Sequence, residues 1–190
     1  MPETRDRALD LAQAFGRVAP LEVDLGCGDG TFLATLAREQ PGRNFLGVDW
    51  TPSRVRAACR KIGDAHLPNA RVLRADNAET LCMLLAPQSV EVCHLLFSDP
   101  WPKRRHHERR VFSERFLRAV AHALVPSGLL RVATDHAEYF SAMARIWPLV
   151  REFEVCPADE GETGFSTTFE ERFRASGARI NRVVLRKCGN

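Results

Sequence analysis

The feature that most constrains the fold is a recurrence: four short, mainly apolar runs ahead of Pro100, each closing on an aspartate. Leu21-Glu22-Val23-Asp24-Leu25 leads into Gly26-Cys27-Gly28-Asp29-Gly30. Asn44 to Val48 ends at Asp49, Arg71 to Ala75 at Asp76, and Val90 to Phe97 at Ser98-Asp99-Pro100. Such runs predict strands, the last apolar enough to be buried on both faces. Between them the period changes. Thr31 to Arg38 places Phe32, Leu33, Leu36 and Ala37 at helical spacing, and Pro52, which suits a helix start, precedes Val55, Ala58, Cys59 and Ile62 on one face. Leu81 to Leu85 fits a short helix. The alternation continues with a helix over Phe112 to Leu124, a turn at Pro126-Ser127-Gly128, a strand over Leu129 to Ala133 ending at Thr134-Asp135, and a helix over His136 to Trp147. Strands at Phe153 to Cys156 and Ile180 to Leu185 complete seven. This order predicts an α/β, Rossmann-like fold: a mostly parallel sheet with helices on both faces, and an antiparallel pair at one edge where no crossover helix joins the last two strands. With 190 residues, 45% hydrophobic and 27% charged, the chain is expected to form one domain, 1–190.

In open sheets of this kind ligands bind at the carboxyl ends of the strands, where strand order reverses. A single aspartate there has a plain structural use in turns and helix caps, but four successive strand ends each carrying one point to a ligand. The glycine turn departs from the dinucleotide fingerprint G-x-G-x-x-G, because Thr31 stands where its last glycine belongs, and no phosphate loop of the form G-x-x-x-x-G-K-[ST] occurs. A nucleoside without a pyrophosphate fits better. Asp49 is placed for both ribose hydroxyls, Asp24 with Gly26 and Gly28 for an amino-acid tail and its ammonium group, and Asp76 with Asn77 for an adenine edge. Those demands fit S-adenosyl-L-methionine.

The formal net charge is only +3, so a nucleic-acid partner must be sought in local charge. It lies after the fourth strand. Phe97-Ser98-Asp99-Pro100-Trp101-Pro102 is followed by Lys103-Arg104-Arg105-His106-His107-Glu108-Arg109-Arg110, five cations in eight residues. Most such runs are solvated loops. A tryptophan held between two prolines at the ligand edge instead offers an aromatic surface beside a cluster suited to phosphates.

At these residues the chain resembles the bacterial tRNA (guanine-N7-)-methyltransferase family. The likeness runs through the Asp24 to Gly30 turn, Val48-Asp49, the block from Phe97 to His106, Thr134-Asp135, and Thr167-Thr168-Phe169-Glu170-Glu171-Arg172-Phe173. It implies a class I methyltransferase fold and transfer of a methyl group from S-adenosylmethionine to N7 of a guanosine in the variable loop of tRNA. By the same likeness Asp24, Asp49, Asp76 and Asp99 line the cofactor site, with Asp99 at the reacting centre. Lys103, Asp135, Thr167 and Glu170 contact the guanosine or its RNA, and Arg104, Arg105, His106, Arg109 and Arg110 face the RNA. Asp24 and Asp49 replace the glutamates usual in the family, and the stretch ahead of the first strand is shorter than usual.

Several roles have plainer competitors. Asp135 also suits a helix N-cap, and Glu170 and Glu171 an exposed helical face. Two other functions stay open: methylation of another RNA base or a small molecule, and tRNA binding without turnover. The order Asp-Pro-Trp-Pro differs from the Asp-Pro-Pro-Trp of amino-methylating enzymes, which disfavours adenine N6.

No metal is expected, since His106 and His107 lack a second ligand cluster and none of the six cysteines forms a C-x-x-C unit. The cysteines are expected as buried, reduced thiols. Neither a signal peptide nor an apolar run of roughly 18 to 20 residues is present, which predicts a cytoplasmic protein without membrane contact. With one domain and no separate RNA-binding module, the same sheet edge is expected to serve cofactor and tRNA. Whether the chain acts as monomer or homodimer stays open.

Overall fold

The computed structural model describes residues 8–157, 177 and 179–189. Its strands are β1 (Leu21–Leu25), β2 (Asn44–Asp49), β3 (Ala70–Arg74), β4 (Val90–Leu96), β5 (Leu124–Thr134), β6 (Phe153–Val155) and β7 (Asn181–Lys187). They form one sheet in the order β3-β2-β1-β4-β5-β7-β6. The first five pair in parallel, whereas β7 runs antiparallel to both β5 and β6. The antiparallel pair at this edge is as expected. Strand order reverses between β1 and β4, so a crevice opens where these two neighbours send their chains to opposite sides.

The helices are α1 (Leu11–Phe15), α2 (Thr31–Glu39), α3 (Pro52–Asp64), α4 (Asn77–Glu79, continued by a π-helical turn over Thr80–Leu84), α5 (Glu114–Ala123) and α6 (Ala137–Ile146). Alternating strand residues feed two apolar clusters. Val23, Leu25, Leu46, Cys93, Leu95 and Leu130 pack with Phe116, Leu117, Val120, Tyr139 and Met143 of α5 and α6. On the opposite face Phe45 and Ala70 pack with Phe32, Leu33 and Leu36 of α2 and Ile62 of α3. Burying these side chains at about 25 cal/mol per Å² of apolar surface is the main drive for the layered arrangement.

The start of β5 differs most from expectation. Strand β5 begins at Leu124 rather than Leu129: Val90 pairs with Leu124 and Val92 with Leu129, so the expected Pro126-Ser127-Gly128 turn survives as a bulge within the strand. The final helix of the parallel half is capped by His136, whose Nδ1 accepts from the Tyr139 amide at 3.2 Å. Asp135 is therefore not the cap. All six cysteines are free thiols as expected, but only Cys27, Cys93 and Cys156 are buried; Cys59 and Cys82 lie on exposed surface. Among the described residues no helix is long and apolar enough to cross a membrane.

Candidate active site

Turning from β1 into α2 takes three glycines with left-handed backbones, Gly26 (φ +88°), Gly28 (φ +57°) and Gly30 (φ +75°). The amides of Gly26 and Cys27 both donate to the Val48 carbonyl, at 2.8 and 2.9 Å, binding the turn to the end of β2. Gly30 has a second reason to lack a side chain: a Cβ there would stand 2.7 Å from that of Ala58 on α3. The Asp49 carboxylate completes the link. It accepts from the Gly28 amide at 3.1 Å and from the Thr51 amide at 2.7 Å, joining the first turn to the start of α3.

Asp24 is only 4% exposed and Asp49 only 5%. Burial, and then the charge of Asp49, push the Asp24 carboxyl up to about 7. The half-exposed guanidinium of Arg54 comes no closer than 3.8 Å to Asp49. Two nearly buried carboxylates with so little compensating positive charge fit a cationic ligand, and S-adenosylmethionine carries both a sulfonium and an ammonium group. Asp76, at the end of β3, is exposed, and its carboxylate caps α4 by accepting from the Ala78 and Glu79 amides at 2.8 and 3.1 Å. Asn77 is half-buried at the first position of that helix.

Sequence reasoning passed over Trp50. It follows Asp49 directly, is 66% exposed, and has the Arg74 guanidinium 5.6 Å from its ring centroid. A flat aromatic face at this edge can stack on a base. Its position immediately after a strand-ending aspartate was the available signal.

After β4 the chain makes its second turn into the crevice. Asp99 is exposed there, between two non-glycine residues with left-handed backbones, Phe97 (φ +55°) and Trp101 (φ +42°). The Phe97 amide donates to the Ala133 carbonyl at 2.7 Å, tying the turn to β5. Arg104–Arg109 form a 3₁₀ helix behind it. The His106 ring meets Trp101 edge to face at 5.8 Å, and the Arg109 guanidinium lies 5.1 Å from the Trp101 centroid. Lys103, Arg104, Arg105 and Arg109 are exposed and His106 is half-buried. Arg110 departs from the expected outward-facing set: its side chain is 8% exposed and folds back onto the protein. Asp135, half-buried after β5, makes no hydrogen bond to another described residue. Thr167 and Glu170 lie outside the described residues. Among those described, no group of three or more His, Cys, Asp or Glu side chains could hold a metal ion.

The far end of the sheet carries a buried polar group that sequence reasoning also passed over. His94 Nε2 lies 2.7 Å from Glu22 Oε2, Arg43 Nε lies 2.8 Å from Glu22 Oε1, and Arg43 also reaches Glu91 at 2.5 Å. Burial raises the Glu22 carboxyl, but the hydrogen bond with His94 and the charge of Arg43 hold it below the ordinary carboxylate range. Burial pushes His94 down, so the ring is neutral and donates from Nε2.

A family model described as "Putative methyltransferase" matches residues 18–183. The tRNA (guanine-N(7)-)-methyltransferase of Cutibacterium acnes is 39% identical over 164 residues, covering 86% of this chain and 59% of that protein. That of Alkalilimnicola ehrlichii is 37% identical over 187 residues, covering 94% and 77%. The chain thus spans about three-fifths of the first relative and about three-quarters of the second. Among solved structures, the 16S rRNA methyltransferase KamB superposes with TM-score 0.64 at 22% identity, covering 97% of this chain and 95% of that one. The aminoglycoside resistance methyltransferase NpmB1 also gives 0.64, at 18% identity, with 95% and 94% covered. These two likenesses establish the fold alone. The match over 18–183, together with the relatives of more than one-third identity, shows that the chain belongs to the tRNA (guanine-N(7)-)-methyltransferase family.

Proposed function

We propose that this chain transfers a methyl group from S-adenosylmethionine to N7 of a guanosine in the variable loop of tRNA. The observation that carries the proposal is the juxtaposition across the crevice: buried, undercompensated Asp24 and Asp49 on one side, and on the other Asp99 in a constrained turn that opens onto exposed Lys103, Arg104, Arg105 and Arg109. Bound S-adenosylmethionine would supply an electrophilic methyl group on a cationic sulfur. Asp24 and the glycine turn would hold its amino-acid end, Asp49 its ribose hydroxyls, and Asp76 with Asn77 its base.

Guanine N7 has an in-plane lone pair and no proton, so the chain need not supply a base. With the cofactor bound, the N7 lone pair would form the new N–C bond while the C–S bonding pair would leave with sulfur, so positive charge would pass to the guanine. Asp99 would stabilise that charge. Orientation of N7 should supply several of the roughly 7 to 11 kcal/mol that proximity can contribute. Asp135, free of helix capping, and Glu170 would accept from guanine N1–H and the exocyclic amine, a pattern adenine does not present. Lys103 would meet a phosphate or guanine O6.

The test is methylation of an unmodified tRNA transcript by the purified chain, followed by nuclease digestion and mass spectrometry with site mapping. N7-methylguanosine at one variable-loop position is expected. Methyl groups found only on adenosine, or tRNA binding with no turnover, would sink the proposal.

A further inference from the structure

Arg110 differs from the other cations of its run in what it touches. Its Nε donates to the Pro100 carbonyl at 2.8 Å. Its guanidinium lies 4.9 Å from the ring centroid of Tyr139, a residue that is 1% exposed. Its Nη2 donates to both carboxylate oxygens of Glu138, at 3.1 and 3.3 Å. Its own amide donates to the His107 carbonyl at 3.0 Å, closing the 3₁₀ helix. One side chain thus fastens the residue after Asp99 to the first turn of α6, which begins two residues beyond Asp135.

The Asp99 turn needs such a fastening. Left-handed backbones at Phe97 and Trp101 each cost about 1 to 2 kcal/mol and persist only where the surroundings over-determine them. The Phe97 amide, bonded to β5, secures the near end of the turn. The Arg110–Pro100 bond secures the middle, and Arg109 and His106 pack on Trp101 at the far end. The Arg110 bond also connects the turn to the helix behind Asp135. A planar guanidinium presents Nε and Nη in fixed relation, so it can serve Pro100 and Glu138 together while stacking on Tyr139; a lysine ammonium can satisfy one of them at a time.

We propose that Arg110 is a positioning residue, which sets Asp99 against Asp135 by clamping the Pro100 carbonyl to Glu138 and Tyr139, and is not an RNA contact. The inference rests on the function proposed above for Asp99 and Asp135. A displacement of about 1 Å at a reacting centre can cost on the order of 100-fold in rate.

The experiment compares wild type with Arg110→Lys, which keeps the positive charge and loses the fork. With tRNA as substrate, kcat is expected to fall roughly 10- to 100-fold. KM for tRNA and the salt dependence of tRNA binding are expected to stay within about twofold, and S-adenosylhomocysteine to bind at unchanged stoichiometry, because the exposed cations are untouched. Unchanged kcat overturns the proposal. So does a rise in KM with a salt slope lower by about one, the signature of a lost phosphate contact. Should the lysine variant fail to fold, Glu138→Gln loosens only the exposed end of the clamp, and a kcat drop of about two- to fivefold is expected, with no drop counting against it. The indole N–H resonance of Trp101, assigned with Trp101→Phe, separates this inference from the function it rests on. If wild type fails to methylate tRNA, the function falls. The clamp then stands or falls on whether Arg110→Lys shifts and broadens that resonance or leaves it unchanged.

Discussion

Glu22 and Asp24 stand two residues apart on β1, project from the same face of the sheet and are equally buried, at 4% exposure each, yet their carboxyls move in opposite directions. Glu22 faces the donor of His94 and the guanidinium of Arg43 and is held below its ordinary range. Asp24 faces Asp49 and is pushed up to about 7. Burial is common to both; what differs is the partner. A carboxylate whose compensating cation belongs to the chain contributes to the fold, and one whose cation must come from outside marks a binding site. Under the function proposed above, the two ends of one strand divide between structure and ligand.

The largest expected effect is on stability against pH. The folded chain keeps Asp24 protonated up to about 7, whereas its ordinary value is 3.8. The folded state therefore binds the extra proton across that window, and stability falls as pH rises through it, by roughly 4 kcal/mol once the group is ionised in both states. Thermal unfolding of the ligand-free protein should show Tm declining from pH 5 to pH 8, and Asp24→Asn should flatten the decline. A profile identical in the two proteins would break the contrast.

Glu22 should act the other way, through a somewhat smaller term. Its lowered carboxyl contributes stability above its ordinary value of 4.5 that is lost as pH falls below it. In Glu22→Gln an amide nitrogen must face a donor of either His94 or Arg43, so the substitution should cost about 3 kcal/mol at pH 7, near the low end for breaking a buried pair because Arg43 is partly exposed. Chemical denaturation measures this directly.

The alternation of strand and helix, and the reversal of strand order that it implies, were legible because they depend on residue period and connection type, both local in the sequence. So were Asp24, Asp49 and Asp99, because a strand end is a local feature. What stayed hidden depends on contacts far apart along the chain. Lys103 and Arg110 look alike in a basic run; they separate only because Pro100 and Tyr139 surround Arg110 in space. Glu22 and His94 were polar residues in otherwise apolar strands, but their pairing spans 72 positions. Asp135 had two local readings, and the choice went to its neighbour His136, which does the capping. The strand ahead of Leu129 was missed because a Pro-Ser-Gly turn locally looks like a boundary, whereas here it is a bulge between paired segments.

Ligand affinity sharpens the comparison at a smaller scale. A hydrogen bond to a charged group is worth about 1.5 to 3 kcal/mol, so Asp24→Asn should weaken S-adenosylhomocysteine roughly 10- to 100-fold by titration calorimetry. Glu22→Gln, measured where it is fully folded, should stay within about twofold. Equal losses in both variants would mean that the two ends of β1 do not divide the labour.

The smallest effect concerns the cations, which divide along the same line. Arg43 is matched by Glu22 and Glu91, while exposed Lys103 makes no ion pair with another described residue. Its charge is available to a phosphate, and a single exposed phosphate contact is worth little more than about 1 kcal/mol, with a contribution of about one to the salt dependence of binding. Lys103→Ala should therefore weaken tRNA roughly fivefold at low salt, with the difference narrowing as salt rises, while Tm and S-adenosylhomocysteine affinity stay unchanged. Binding titrations of tRNA at several salt concentrations read the slope, and a slope equal to wild type would assign Lys103 to the guanine O6 instead, since a contact to a neutral acceptor releases no counterion from the RNA.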